Sequence, residues 1–185
     1  MPRIAALVLC ILLSVSALSF AANEEPIGFL FKQKIADGVP VKVYIKGVEN
    51  KSGQDRIMPD AFKKALVDSL RNRRAIKFEV VDDQSASDVQ IAAVIKDYKY
   101  MHRGPFKPTI SPATVMAEAA ATASQNYTEM TADFKVTDRF GNVLWEKTLN
   151  EYLKKKMTAE ESVPMIYDFI TRTFVWKCFG KPTLR

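Results

Sequence analysis

The chain has 185 residues, of which 48% are hydrophobic and 26% are charged, and this composition is ordinary for a globular domain. It excludes a mostly disordered chain, a collagen-like chain and a disulfide-rich scaffold. The 27 basic residues outnumber the 21 acidic residues, which gives a net charge of +6. The length is enough for one domain with a sizeable hydrophobic core.

The N-terminus has the order of a secretory signal peptide. A short basic start precedes an unbroken apolar run, Ile4–Leu13, and the small residues up to Ala21 supply a cleavage site. We therefore predict an exported protein with a signal peptide over residues 1–21 and a single α/β domain over residues 22–185. The alternative is an uncleaved membrane anchor, because the apolar stretch has the minimum length of a spanning helix.

Hydrophobic spacing predicts a strand, a helix, three or four further strands and a final helix. The apolar positions of the strands lie at Val39–Ile45, Ile76–Val80, Val89–Ile95, Thr128–Val136 and Val143–Leu149. The third strand is apolar on both faces, so we expect it to be central in its sheet. This order predicts the α+β class, as a two-layer sandwich of two helices packed on a four- to five-stranded, mostly antiparallel sheet.

Both helices carry start signals. Pro59 suits the first turn of the first helix, and the basic residues Arg71–Arg74 suit its C-terminal end. A capping-box sequence, Thr158–Glu161, precedes the second helix. Pro164 predicts that this helix starts later, near Ser162, or bends there.

One long segment, His102–Gln125, interrupts the strands. Three prolines (Pro105, Pro108 and Pro112) oppose regular structure in its first half, and the alanine-rich stretch Ala113–Ala123 favours a helix in its second half. A loop of this length, over residues 102–125, is long for a compact domain and often has a function. A mobile loop is the alternative.

Residues for catalysis and metal binding are scarce. Cys10 lies inside the apolar run, which leaves Cys178 and one histidine, His102, for the rest of the chain. A nucleophilic site or a zinc centre needs more such residues, so we predict no enzyme, no catalytic residue, no metal site and no cofactor. For Cys178 two alternatives remain, an intermolecular disulfide or a buried, inert thiol.

Basic side chains form three clusters that could bind anions. In the cluster Arg71–Lys77 the helix dipole already accounts for Arg71–Arg74, and Lys154–Lys156 end a strand. Arg103 and Lys107 lie in the long loop and have no such explanation, so we predict them as ligand-binding residues. Nucleic acid is a poor partner for an exported protein, and we expect an anionic lipid, lipopolysaccharide or cell-wall polymer instead.

Several segments together resemble the LptE family of lipopolysaccharide-assembly proteins from the Gram-negative outer membrane. The resemblance spans about residues 41–152 and rests on Val48–Ser52, Ala61–Arg74, Val80–Asp82, Ala86–Val89 and the hairpin Asp138–Glu146. CsgG-like secretion proteins and the N-terminal domain of TolB share a similar start and a similar hairpin.

The resemblance implies two helices on a four-stranded sheet, with no enzymatic activity. LptE proteins sit as a plug inside a β-barrel partner, LptD, and help to insert lipopolysaccharide into the outer leaflet. We therefore expect an assembly factor in the periplasm or on the periplasmic face of the outer membrane. Its expected partners are an LptD-like outer-membrane β-barrel protein and an anionic glycolipid such as lipopolysaccharide. The alternative is another periplasmic interaction module, either a secretion-pore subunit or a regulator of cell-wall synthesis.

Overall fold

A computed structural model describes residues 25–101, 126–155 and 157–180, which form one open sheet with two long helices on one face. The strands are β1 (Val41–Asn50), β2 (Phe78–Val80), β3 (Val89–Met101), β4 (Asn126–Asp138) and β5 (Val143–Lys155). The helices are α1 (Lys32–Ala36), α2 (Pro59–Arg71) and α3 (Ala159–Phe179), and 3-10 turns cover Ile27–Phe31 and Gln84–Ala86. The predicted signal peptide and the alanine-rich stretch lie outside the described residues.

The strand order in the sheet is β2-β1-β3-β4-β5, which confirms the central place of β3. β1 pairs in parallel with β2 and with β3, whereas β3, β4 and β5 pair antiparallel. The parallel pair of β1 with β2 follows from the connection through α2, because a chain that crosses over through a helix re-enters the sheet in the same direction. From β2 the chain passes the end of β1 through the Gln84–Ala86 turn and enters β3 on the other side of β1, again in parallel. The predicted α+β class is confirmed, with a sheet that is mixed.

The hydrophobic core lies between the helices and one face of the sheet. Alternate strand residues point to this face and are buried, as the two-residue period predicts. From the sheet they include Val41, Val43, Val89, Ile91, Phe134, Val136 and Trp145, and from the helices Phe62, Leu66, Ile166, Ile170 and Phe174. None of the helices in the described ranges is both long and apolar enough to span a lipid bilayer.

An aromatic cluster joins both long helices to the sheet. The ring of Phe174 in α3 stacks on Phe134 in β4, with centroids 4.3 Å apart and planes 9° from parallel. Trp145 in β5 meets Phe174 edge-on at 5.5 Å, and Phe62 in α2 lies 6.0 Å from Phe134. Such aromatic pairs contribute energy beyond their buried area. The cluster therefore fixes the position of α2 and α3 over β4 and β5.

The start of α3 is set by its capping box. The Thr158 hydroxyl accepts a hydrogen bond from the Glu161 amide at 3.2 Å, and the Glu161 carboxylate accepts one from the Thr158 amide at 2.9 Å. Of the two alternatives for Pro164, the later start near Ser162 is wrong, because the helix begins at Ala159 and continues through Pro164. An interior proline removes one backbone hydrogen bond and crowds the carbonyl four residues earlier, and the reciprocal cap and the buried face of the helix offset this cost.

We expect the Thr158→Ala variant to lower the free energy of unfolding by about 1 kcal/mol, because one side of the capping box is lost. Urea unfolding followed by circular dichroism measures the change. Thr173→Ala in the interior of α3 is the matched control and should leave stability unchanged or slightly higher, since alanine favours helices. Equal losses in the two variants would contradict a special role for the cap.

Candidate functional site

The structure does not reach the residues that the sequence predicts for ligand binding. Arg103 and Lys107 lie outside the described residues, as does His102. Their proposed roles therefore stay predictions. Candidate surfaces on the rest of the chain follow from the exposed apolar and charged groups of the sheet and helices.

The basic cluster that follows α2 has a structural role at Arg73. The Arg73 guanidinium donates a hydrogen bond to the carbonyl of Gly180, at the end of α3. Burial lowers the pKa of Arg73. This side chain ties the C-terminal ends of the two long helices together, which the helix-dipole argument from sequence did not predict.

Cys178 is fully buried on the inner side of α3. Burial in apolar surroundings raises the pKa of its thiol well above the ordinary value, so the reactive thiolate is suppressed. Of the two alternatives from sequence, the buried, inert thiol is the one that this geometry supports. Within the described ranges, no group of three or more His, Cys, Asp or Glu side chains is placed to hold a metal ion.

A groove of about 360 Å³ runs between α2 and α3. Its walls are mainly apolar and include Met58, Ala61, Val163 and Pro164. The Tyr167 hydroxyl at its base accepts a hydrogen bond from the Met58 amide at 3.0 Å, and burial raises the pKa of Tyr167 to about 12. The hydroxyl therefore stays protonated at neutral pH and supports the helix pair.

The two edges of the sheet differ greatly in length. At one edge β2 has 3 residues, whereas β5 at the other edge has 13. Within the described part of the chain no strand pairs with the outer side of β5. Among the described residues, the outward-pointing backbone N–H and C=O groups of β5 therefore have no strand beside them.

An apolar pocket of about 670 Å³ adjoins the start of β5. Phe29 and Leu30 of the N-terminal 3-10 turn line it together with Val143 and Leu144 of β5. At Gly28 the turn packs directly against the backbone of Phe179 at the end of α3. Only glycine fits there, because a Cβ would lie 1.9 Å from the Phe179 carbonyl oxygen. Phe29 is 53% exposed and Leu30 is 49% exposed, so this pocket is open to solvent. We call the outer edge of β5 with these four residues the edge surface.

The outer side of α3 carries three further exposed apolar side chains. Met165, Phe169 and Trp176 are spaced at helical intervals and share one stripe opposite the core. Phe169 adjoins the buried core residue Ile170 in sequence and lies three positions after the buried Ile166, yet its own side chain is 39% exposed. Exposed apolar stripes of this kind are typical of surfaces that bind another protein.

The face of the sheet away from the helices is polar and charged. Asp133 pairs with Lys96 at 2.6 Å and accepts a hydrogen bond from Thr148 at 2.7 Å. Further along the same face, the Glu129 carboxylate accepts a hydrogen bond from Asn150 at 2.8 Å. Cross-strand pairs of this kind suit a sheet face that contacts water.

Comparisons with known proteins connect the chain to solved structures and to no established family. No protein-family model matches the sequence, and no curated protein matches it. The PelC dodecamer from Paraburkholderia phytofirmans has a TM-score of 0.50 at 11% identity, over 75% of this chain and 89% of that chain. The hypothetical protein CT253 from Chlamydia trachomatis has a TM-score of 0.51 at 10% identity, over 80% and 100%.

A third solved structure is the lipoprotein GNA1162 from Neisseria meningitidis, with a TM-score of 0.43 at 10% identity, over 74% of this chain and 99% of that chain. The similar structures are thus bacterial proteins, and one of them is a lipoprotein. At these identities the PelC and CT253 likenesses show a shared fold, and they do not single out the LptE family.

We expect Cys178 to resist alkylation in the folded protein and to react readily after unfolding, because its thiol is buried and its pKa is raised. Labelling with iodoacetamide at pH 8, with and without urea, followed by mass spectrometry measures both rates. Rapid labelling without urea would contradict the buried position. So would a disulfide-linked dimer of the folded protein.

Proposed function

We propose that this chain is a non-enzymatic interaction module of the bacterial cell envelope, which acts by binding other proteins. The observation that carries the proposal is the edge surface, in which the 13-residue edge strand β5 has no neighbouring strand on its outer side among the described residues and lies beside an apolar pocket. A long free strand edge is a template for pairing with a second chain, and soluble proteins that do not use such an edge usually block it.

Two further observations support this function. The signal-peptide order of the N-terminus supports export, which a module of the cell envelope requires. The burial of Cys178 removes a potential nucleophile from contact with substrates, which supports a role other than catalysis. The apolar stripe Met165, Phe169 and Trp176 adds a second surface suited to protein contacts.

The first specific form of this function is lipopolysaccharide assembly of the LptE type. In this form an outer-membrane β-barrel protein contacts the edge surface, and the anionic glycolipid binds through Arg103 and Lys107. The support is the resemblance in the segments Val48–Ser52, Ala61–Arg74 and Asp138–Glu146. In this form the protein is localised to the periplasmic face of the outer membrane.

The second specific form is a subunit of a secretion pore built from copies of this chain. One observation favours it, since the PelC structure with the same fold is a dodecamer. Ring assembly needs two different surfaces on each copy, because head-to-tail contacts close into a ring. The edge surface and the α3 stripe are two such surfaces on different elements.

Capture of the tagged protein from its native envelope, followed by mass photometry, separates the two forms. Lipopolysaccharide assembly predicts a co-purified β-barrel protein and bound lipopolysaccharide, and a pore predicts particles whose mass is a multiple of the monomer. Val143→Lys should reduce either association at least tenfold, since it places a charge in the apolar pocket.

Val39→Lys is the matched control, because Val39 is similarly exposed (46%, against 41% for Val143) and precedes β1, which two strands separate from β5 in the sheet. It should leave the association unchanged. A wild-type protein that stays monomeric and captures neither partner would contradict the proposal. Equal effects of the two lysine substitutions would contradict the role of the edge surface.

A further inference from the structure

A third cavity, of about 300 Å³, lies on the polar face of the sheet, away from the helices. It is lined by strand residues, by Gln84 of the second 3-10 turn and by the tip of the β4–β5 hairpin, and its lining includes Lys46, Gln90, Ala92, Lys135, Arg139 and Phe140. Three of these side chains are cationic and none is acidic. The volume is at the lower end of the range for small-molecule sites.

The strand register explains why a cavity forms at this point. Ala92 of the central strand faces Lys135 on one side, and on its other side β1 bulges between Ile45 and Gly47, where Lys46 stands. The small side chain of Ala92 therefore forms the floor of the cavity, with Lys46 on one side and Lys135 on the other. The strands that carry the two lysines are roughly 10 Å apart, because one strand lies between them. Long side chains from the two strands can converge on one group above Ala92.

Gln90 supplies a buried polar group without a partner. Its side chain is only 3% exposed and lines the cavity. Its oxygen accepts a hydrogen bond from Gln84 at 3.1 Å, whereas its amide nitrogen has no hydrogen-bond partner among the described residues. Buried amides are almost always paired, so this N–H group is a donor that a bound acceptor atom would satisfy.

The charges around the cavity leave it positive. Lys135 pairs with Glu146 at 3.4 Å, but both side chains are about half exposed. Such surface ion pairs contribute little free energy, so Lys135 can bind a different anion in place of Glu146. The Asp138 carboxylate is engaged within the hairpin, where it accepts hydrogen bonds from the backbone amides of Phe140 and Asn142. Arg139 lies over the exposed ring of Phe140 with its guanidinium 4.7 Å from the ring centre.

We infer that this cavity binds a sugar that carries an oxyanion, either a phosphate or a carboxylate. Lys46, Lys135 and Arg139 would bind the anionic oxygens, and the Gln90 amide would donate to one further oxygen. Ala92 and the Phe140 ring offer the apolar contact that a sugar ring needs. The inference goes beyond the proposed function, since the site lies on the sheet face and does not involve the edge surface.

Calorimetric titration of the purified protein with glucose 1-phosphate, glucuronate, inorganic phosphate and glucose tests this inference. We expect saturable binding of at least one of the two charged sugars, weaker binding of inorganic phosphate and no binding of glucose. Arg139→Gln should weaken the affinity about tenfold, as expected for loss of one charge-assisted contact. Ala92→Val should also weaken it, because the added methyl groups fill the floor without changing the charge.

Lys99→Gln is the matched control, because Lys99 lies in the same strand as Ala92 and pairs with Asp97 instead of lining the cavity. It should leave the affinity unchanged. Gln90→Met should weaken binding with little change in the melting temperature, since it removes an unpaired buried donor and only one hydrogen bond, to the exposed Gln84. Failure of both charged sugars to saturate near 10 mM (about the weakest specific affinity expected) would overturn the inference. Equal weakening by Lys99→Gln and Arg139→Gln would overturn it too, and so would phosphate binding as tightly as glucose 1-phosphate.

Discussion

The stacking of Phe174 on Phe134 is the contact on which the arrangement of this protein depends. It seats α3 on β4, and through Trp145 and Phe62 the same aromatic cluster also holds β5 and α2. A buried hydroxyl pair, Ser69 with Thr171 at 2.8 Å, then fixes α2 against α3. Because both long helices are committed to one face of the sheet, the opposite face and the outer edge of β5 remain uncovered in the described structure.

This one-sided packing separates two kinds of surface. Several exposed apolar side chains, among them Phe29, Val143 and Trp176, lie at the edge surface and on the α3 stripe, where a protein partner can cover them. Charged side chains gather on the open face of the sheet, where cross-strand pairs such as Lys96 with Asp133 stabilise a surface in contact with water. The two proposals follow this division, with a protein partner at the edge and a small charged ligand on the open face.

Much of the fold could be predicted from the sequence, because local patterns determine it. The alternation in β1 and β4, the central place of β3 and the capping box at Thr158 all follow from residue spacing. The predicted later start of α3 near Ser162 was wrong, because a strong N-terminal cap outweighs the effect of a proline that follows the first turn. The parallel pairing of β1 with β2 and β3 depends on the path of the chain through space, and spacing along one strand does not encode that path.

The candidate sites were harder to predict for the same reason. Lys46, Ala92 and Lys135 come together only through the register of three strands, and Gln90 looks like an ordinary polar strand residue until its burial is known. The free edge of β5 likewise depends on the strand order. The predicted ligand residues Arg103 and Lys107 rest on the loop that contains them, and their roles stay predictions.

Amide hydrogen exchange along β5 tests the central claim, that the protein acts by pairing its free strand edge with another chain. The measurement compares the isolated protein with the assembly captured from the envelope. We expect alternate amides of β5 to exchange rapidly in the isolated protein and at least tenfold more slowly in the assembly, while the amides of β3 stay protected in both. Equal exchange along β5 in the two states would contradict the claim.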